Sequence, residues 1–506
     1  MSARAIVVGS GLAGLFAALE AAEQGVPAAL ISVRPSERAQ SVMAEGGINA
    51  ALGEDDSTEN HYNDTMAAGR FLADPNAVCK LTAAAPGIVR RLLDLGVLFN
   101  MRGHDEPELR YFGGQKIKRT VFAQSGSGKQ IMSAVIQEAR KYEARGLITR
   151  YDRHAFAGLA VGDNGCTGCS IRKAYSGEMT YLHGSVIIAA GGMHGLFGGT
   201  TGSLDNSGAV TAALFRTGVP LANGEFIQYH PTTAAMPGKR LLISEAARGE
   251  GGRLFVLRDG KPYYFMEDRY PELGNLSPRD VISREMWSLG EQVYLDLTGL
   301  PDEVFRARLS DTLDDCLTHL RIDPRQNPIP VAPGVHYFMG GIFVDENHRT
   351  AFPGLYAAGE CCCQYHGANR LGGNSLLGAI FGGIAAAHSA LADGPQAIGG
   401  EYLPPDTEQS AEDRIATQTI VRDALGIARD RAELENGIAT LEGLPGSMPL
   451  LARAIMTGAL ERRESRGAHL RTDYLEQNDT GFRKTTVVSY DGGTISARFE
   501  NIPERR

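Results

Sequence analysis

The chain has 506 residues, 43% of them hydrophobic, and a formal net charge of −9. A single core stops growing near about 250–300 residues, so this length predicts two or three domains. Acidic and basic residues alternate without a basic block, which excludes a nucleic-acid surface and means that a small anionic substrate needs a local cluster of positive groups.

At the start, Met1-Ser2-Ala3-Arg4 runs straight into an apolar strand pattern with no small-residue cleavage site behind it, so no signal peptide is expected. Ala5–Val8 is followed by Gly9-Ser10-Gly11-Leu12-Ala13-Gly14, a helical pattern to about Gln24, and a second strand over Ala28–Val33. This is a βαβ opening with GxGxxG at its first turn, the signature of a bound dinucleotide. Gly9 permits the tight turn, Gly11 admits a pyrophosphate, and Gly14 lets helix pack on strand. The N–H groups around Leu12 and Ala13 open the helix toward phosphate. The acid that usually ends the second strand is missing, and Ser32, whose hydroxyl suits a ribose, stands there with Arg34.

Two later strands end in the same way: Val186–Ala190 runs into Gly191-Gly192, and Leu355–Ala358 into Gly359-Glu360. Ala190, Gly191, Gly192, Gly359 and Glu360 are therefore candidates for close backbone approach to a cofactor. The expected assembly is an α/β chain: a Rossmann-like dinucleotide domain (1–224 and 342–400) interrupted by a capping α+β domain (225–341), then a helical C-terminal domain (401–506). Glu412–Asn436 and Leu450–Arg466 are the expected amphipathic helices of the last part.

Seven cysteines, an odd count in a large chain, argue against a secreted disulfide framework. Cys166 and Cys169 flank no second pair, and Asp163-Asn164-Gly165 beside them reads as a hairpin turn. Cys361-Cys362-Cys363 suits packing better than ligation. No metal site is expected. The longest apolar stretch, Leu376–Ala387, is interrupted by Gly378, Gly382 and Gly383 and reads as too short to span a membrane. A soluble, intracellular protein without direct membrane insertion is the expectation.

Polar groups concentrate amid glycine and aromatic residues in Gln228-Tyr229-His230-Pro231-Thr232, Ser244–Gly252, Pro278-Arg279-Asp280, His336–Gly341 and His366–Leu376. With Ala44-Glu45-Gly46-Gly47 and Glu464-Ser465-Arg466-Gly467-Ala468-His469, these segments resemble, over nearly the whole chain, the flavoprotein subunits of fumarate reductase and succinate dehydrogenase and their relative L-aspartate oxidase. The resemblance implies noncovalent or covalent FAD and a small dicarboxylate substrate. His230 and Ser244 would bind one carboxylate, His336 and Arg370 the other. Arg279 would be the acid beside the reacting bond, resupplied with protons from solvent through Glu245 and Arg248. Gly46, Gly47, Gly359 and Glu360 would meet the cofactor, with Asn374, Ser375 and Leu376 at its ring end. A separate iron–sulfur subunit is implied as electron partner, since the chain has no Fe–S ligand run or haem site of its own, and with it a cytoplasmic chain peripheral to the inner membrane.

One position separates the branches, and two others depart from the family pattern. L-aspartate oxidase resembles Glu-Gly-Gly-His-Ser where this chain has Phe112-Gly113-Gly114-Gln115-Lys116, and Phe112 offers a substrate ammonium nothing. Gln40 stands where covalent members carry a flavin-linking His, and no His precedes His61. Noncovalent FAD, at a lower potential and biased toward fumarate reduction, is the expectation. Finally, Asn206-Ser207-Gly208 replaces the usual Gly-Asp-Gly. The alternatives are L-aspartate oxidase, reduction of another enoate, and a flavin-bound electron-transfer scaffold without chemistry of its own.

Overall fold

The computed structural model describes residues 5–103, 106–124, 126–394, 399–407 and 409–506. Residues 1–4, on which the signal-peptide reading bears, lie outside the described residues. In chain order, β1 (Ala5–Val8), α1 (Leu12–Glu23) and β2 (Ala28–Ser32) form the opening unit. After two long helices come β3 (Ile148–Asp152) and β4 (Ser185–Ile188). The interrupting segment carries β5 (Ile227–Met236), β6 (Lys239–Leu242), α2 (Glu245–Gly249), α3 (Arg279–Leu289) and β7 (Ile329–Phe338). The chain returns through β8 (Leu355–Ala357) and α4 (Asn374–Ala392). It ends with α5 (Ala411–Ala424), α6 (Arg431–Glu442), α7 (Ser447–Glu461), β9 (Lys484–Asp491) and β10 (Thr494–Asn501).

Strands β8, β4, β1, β2 and β3 form one parallel sheet in that order. The residues of β8, β4, β1 and β2 are buried, as expected of strands covered on both faces, whereas the edge strand β3 buries only Ile148. Sequence-distant strand ends thus become neighbours: β8 and β4 pair through Ile188 and Ala357, and a Cβ on Gly192 would stand 2.7 Å from Glu360 Oε1. The interrupting segment builds its own six-stranded antiparallel sheet, in which β5 lies between β6 and β7, over a separate apolar core.

Three expectations change. The stretch around Leu376–Ala387 is a 19-residue helix, α4, long and apolar enough by composition to cross a membrane. Its glycines do not break it. They admit α1, since a Cβ on Gly383 would stand 2.2 Å from Ala13 O, and α4 packs on α1 and on the helix Pro75–Asp94. The expected helix Glu412–Asn436 is two, α5 and α6, separated by Leu425–Asp430, where Ala428 and Arg429 pair with Leu470 and Arg471 and Asp430 caps α6. The C-terminal part is not purely helical: β9 and β10 form a hairpin, and β9 pairs with Leu221 and Ala222 in a further five-stranded sheet separate from the two above. The Asp163-Asn164-Gly165 hairpin is present, with Gly162 paired to Gly165. Cys166 and Cys169 sit in the apolar core beside it.

Candidate active site

A chamber of about 570 Å³ runs from the β1–α1 turn to the underside of the capping sheet. Gly9, Gly11, Leu12, Ala13, Ser32, Gly46, Gly47, Ala190, Gly191, Gly192, Gly359, Glu360, Ser375 and Leu376 border its sheet side, and Phe112, His230, Ser244, Glu245, Arg279, His336 and Arg370 its cap side. The turn fits a pyrophosphate. Gly9 has φ +119, and a Cβ there would meet Ala189 O at 2.0 Å. The N-cap of α1, Gly11, offers no side chain; Leu12 N donates to Ser41 Oγ at 3.1 Å, and Leu12 and Ala13 border the chamber at the helix N-terminus. Ser32 donates to Asp152 Oδ1 at 3.1 Å, so the carboxylate missing from the end of β2 is present at the end of β3.

Three expected residues do not border the chamber: Gly14, whose added Cβ would meet Gly9 O at 1.8 Å, packs helix on strand, and Asn374 and Arg248 also lie outside it. Asn374 points the other way: its Oδ1 accepts from Asn49 Nδ2 at 2.7 Å and lies 3.0 Å from His61 Nε2, and its Nδ2 donates to Thr65. It anchors the start of α4. Arg248 stands behind Glu245, wholly buried, with Nη1 on the carbonyl of Asn275. The row Arg279–Glu245–Arg248 is contiguous, but its outer end stops at that carbonyl instead of at solvent.

The polar cluster has one carboxylate among three guanidiniums. Arg279 reaches Glu245 Oε2 through Nη2 at 2.6 Å, and Arg248 Nη2 reaches Oε1 at 2.9 Å. Arg279 Nη1 and Arg370 Nη2 both donate to Gln228 Oε1, at 2.9 and 3.0 Å. Gln228 is the site residue that sequence reasoning passed over. The available signal was its place two residues before His230, on the same strand. Arg370 also lies 4.1 Å over the Tyr337 ring. Burial raises the Glu245 carboxyl, but Arg279, Arg248 and Arg370 together hold it at about 2, ionised at any working pH. Burial and then Arg279 lower Arg370 to about 9. The His230 and His336 rings lie 5.0 Å apart, and burial with the nearby arginines pushes both well below the ordinary histidine range, so both are neutral. His336 Nδ1 is held by Thr201 at 2.9 Å.

Phe112 is 2% exposed and packs with the apolar core of the capping segment at the chamber wall. The backbone after it passes directly over Glu245: a Cβ on Gly113 would stand 2.5 Å from Oε1. Ser244 caps α2 through Ala246 N. Glu45 borders the chamber too, with Oε2 unpartnered, and burial, reinforced by Asp315 and Asp311, raises its carboxyl to about 8. Gln40 accepts from Ser203 N at 2.7 Å, and Ser207 Oγ accepts from Ala209 N at 3.2 Å, as a polar start to the helix that follows.

Residues 4–376 match the family model described as "FAD binding domain", and residues 446–503 match "Fumarate reductase flavoprotein C-term". The succinate dehydrogenase flavoprotein subunit of Bacillus subtilis (strain 168) is 36% identical over 98% of this chain and 95% of that protein. The chain belongs to the FAD-dependent fumarate reductase, succinate dehydrogenase and L-aspartate oxidase family. The L-aspartate oxidase of Caulobacter vibrioides is also 36% identical, over 98% of this chain and 97% of its own. Escherichia coli quinol fumarate reductase FrdA, solved as a point variant, superposes with a TM-score of 0.90 at 29% identity, covering 99% of this chain and 97% of that one. This flavoprotein is therefore an oxidoreductase, and its cofactor is FAD.

Proposed function

We propose that this flavoprotein interconverts fumarate and succinate, working as the fumarate reductase subunit of an electron-transfer assembly. The observation that carries the reading is charge. In the cluster at the cap end of the chamber, three buried guanidiniums stand with one ionised carboxylate, Glu245, a surplus of two positive charges beside neutral histidines. A dicarboxylate brings two negative charges, and desolvating them costs several kcal/mol each unless they are paired.

In this reading Gly9, Gly11, Gly191, Gly192, Gly359 and Glu360 hold the cofactor, which when bound supplies a two-electron hydride donor or acceptor. His230 and Ser244 grip one substrate carboxylate, and His336 and Arg370 the other, where a planar guanidinium presents a fork of donors. Arg279 holds a proton at the substrate carbon opposite the hydride. Glu245, 2.6 Å away and ionised, orients that guanidinium, Arg248 holds Glu245 in turn, and Arg279 regains its proton from water once product leaves. Segment 225–341 acts as the cap, because His230, Ser244 and Arg279 all come from it while Arg370 follows the return. Closing it excludes water from the chamber. A separate iron–sulfur subunit is the proposed electron partner. FAD is held noncovalently: Gln40 is engaged with Ser203 N, and the first histidine, His61, is buried against Asn374 away from the chamber.

Steady-state turnover of the FAD-loaded chain, with reduced dye and fumarate and separately with oxidised dye and aspartate, tests the reading. Fumarate is expected to be consumed faster than aspartate is oxidised, and the reverse ranking would move the chain to L-aspartate oxidase. Acid precipitation is expected to leave the yellow colour in the supernatant, and flavin retained on the washed pellet would refute the noncovalent assignment.

The observation that favours fumarate over aspartate is Phe112. An amine needs an acceptor near the chamber, and an apolar ring stands at that wall.

A further inference from the structure

Asp280 follows Arg279 in the Pro278-Arg279-Asp280 segment and has no part in the chemistry above, yet its side chain is only 2% exposed. It stands in the first turn of α3, and two groups from outside segment 225–341 meet it. Arg70 Nη2 reaches Oδ2 at 2.8 Å, and Asn369 Nδ2 donates to Oδ1 at 3.0 Å. Those two are joined through the backbone. Ala368 N donates to Gly69 O at 2.9 Å, and a Cβ on Gly367 would stand 2.4 Å from the same oxygen.

From Asn369 the bonds run inward. Its Oδ1 accepts from Gln228 Nε2 at 2.9 Å, and Gln228 Nε2 also donates to the carbonyl of Arg370 at 3.0 Å. Gln228 Oε1 in turn accepts from Arg279 and Arg370. Asn369 is 2% exposed and Gln228 0%, so bulk water does not replace a lost bond. An amide accepts at one end and donates at the other, a carboxylate only accepts, and a guanidinium only donates. The row therefore has one consistent sense, with the two arginines at its inner end and the Asp280 carboxylate at its outer end. Turning over Gln228 would set its N–H groups against both guanidiniums. Turning over Asn369 would set an oxygen against the Asp280 carboxylate.

We propose that Asp280 and Asn369 are positioning residues of the substrate chamber: they fix the Gln228 amide, and through it the placing of Arg279 and Arg370 against the two carboxylates of the substrate. This role rests on the dicarboxylate reading of the chamber. Asp280 and Gln228 belong to segment 225–341 while Arg70 and Asn369 do not, so the arginines line up where that segment is seated on the rest of the chain.

The test is to reverse the row. Asn369→Asp sets a second carboxylate against Asp280. Per bound flavin, kcat/KM for fumarate is expected to fall about tenfold or more, the loss of one hydrogen bond to a charged group, with KM raised through Arg370 and kcat lowered through Arg279. Adding Asp280→Asn restores the sense of the row: the new carboxylate accepts from Gln228 and from the new amide, whose oxygen accepts from Arg70. The double variant is expected to return to within about threefold of wild type. If Asn369→Asp alone does not fold, Asp280→Asn carries the test, because adding Asn369→Asp to it is expected to raise kcat/KM. Wild-type kcat and KM in Asn369→Asp, or a double variant no better than Asp280→Asn, overturns the proposal. So does a loss confined to flavin content and thermal midpoint, which is what a row that only props the fold would give. A wild type that oxidises aspartate and leaves fumarate alone refutes the fumarate assignment, while the same loss and recovery read with aspartate still supports the row. If neither turns over, the midpoint of malonate binding, followed by flavin absorbance, gives the same comparison, and a chain that binds no malonate refutes both readings.

Discussion

Arg462, Arg466 and Arg471 near the C-terminus are buried, as are Arg248, Arg279 and Arg370 around the substrate chamber. The C-terminal three face Glu225, Glu464, Asp479 and Asp473 at 2.7–2.9 Å, and every one has a carboxylate. Of the chamber three, Arg248 and Arg279 share Glu245, and Arg370 contacts no carboxylate among the described residues. Breaking a buried pair leaves an uncompensated charge, which costs about 3–5 kcal/mol. The C-terminal cluster therefore carries its own countercharge and is complete without a ligand. The chamber cluster is short of negative charge by the amount a dicarboxylate brings. Buried arginine alone does not mark a site; the unmatched charge does.

Removing one partner on each side tests the contrast. Arg279→Lys is expected to lower kcat about 10³-fold or more while the flavin spectrum and thermal midpoint stay close to wild type, because lysine supplies a proton but not the fork. Turnover within tenfold of wild type would remove Arg279 from the acid role. Glu464→Gln is expected to do the opposite: a loss of about 3–5 kcal/mol of stability, read as a lower unfolding midpoint, with turnover per folded flavin nearly unchanged. If turnover falls as far as in Arg279→Lys, the two clusters do not differ in the way argued.

Phe112→Glu sharpens the comparison by cancelling part of the chamber's surplus. A carboxylate at that wall, near Glu245, should raise the KM for fumarate about tenfold or more through like-charge repulsion in a buried site. An unchanged KM would mean that the chamber's charge does not set affinity.

The smallest effect expected concerns Glu45. Its folded-state carboxyl is raised to about 8 from 4.5, mainly by burial. Below pH 4.5 both states are protonated and Glu45 contributes nothing to the pH dependence. As pH rises toward 8 the unfolded chain ionises first, so stability is progressively lost. Glu45→Gln should flatten this slope, raising the unfolding midpoint by a few degrees at pH 8 relative to wild type and not at pH 4.5. Parallel profiles for the two proteins would show that Glu45 does not titrate in this way.

Glycine spacing and strand pattern were enough to read the βαβ opening, the interrupted sheet and the backbone approaches at Gly191 and Gly359, because a tight turn and a buried parallel strand each demand particular residues locally. His230, Ser244, Arg279, His336 and Arg370 were legible as a set, and the fold brings all five to one chamber. Other features depended on contacts between distant segments. The amide of Asn374 is spent on Asn49 and Thr65, and nothing near it in the chain reveals that. Gln228 orders two arginines because α3 and the His366–Leu376 segment converge on β5. The glycines of α4 looked like interruptions, but they are where α1 packs. The sequence by itself determined which chemistry was available and in which local conformations. Only the tertiary structure decided which charges were left unmatched, since burial and pairing are properties of neighbours that sequence order does not specify.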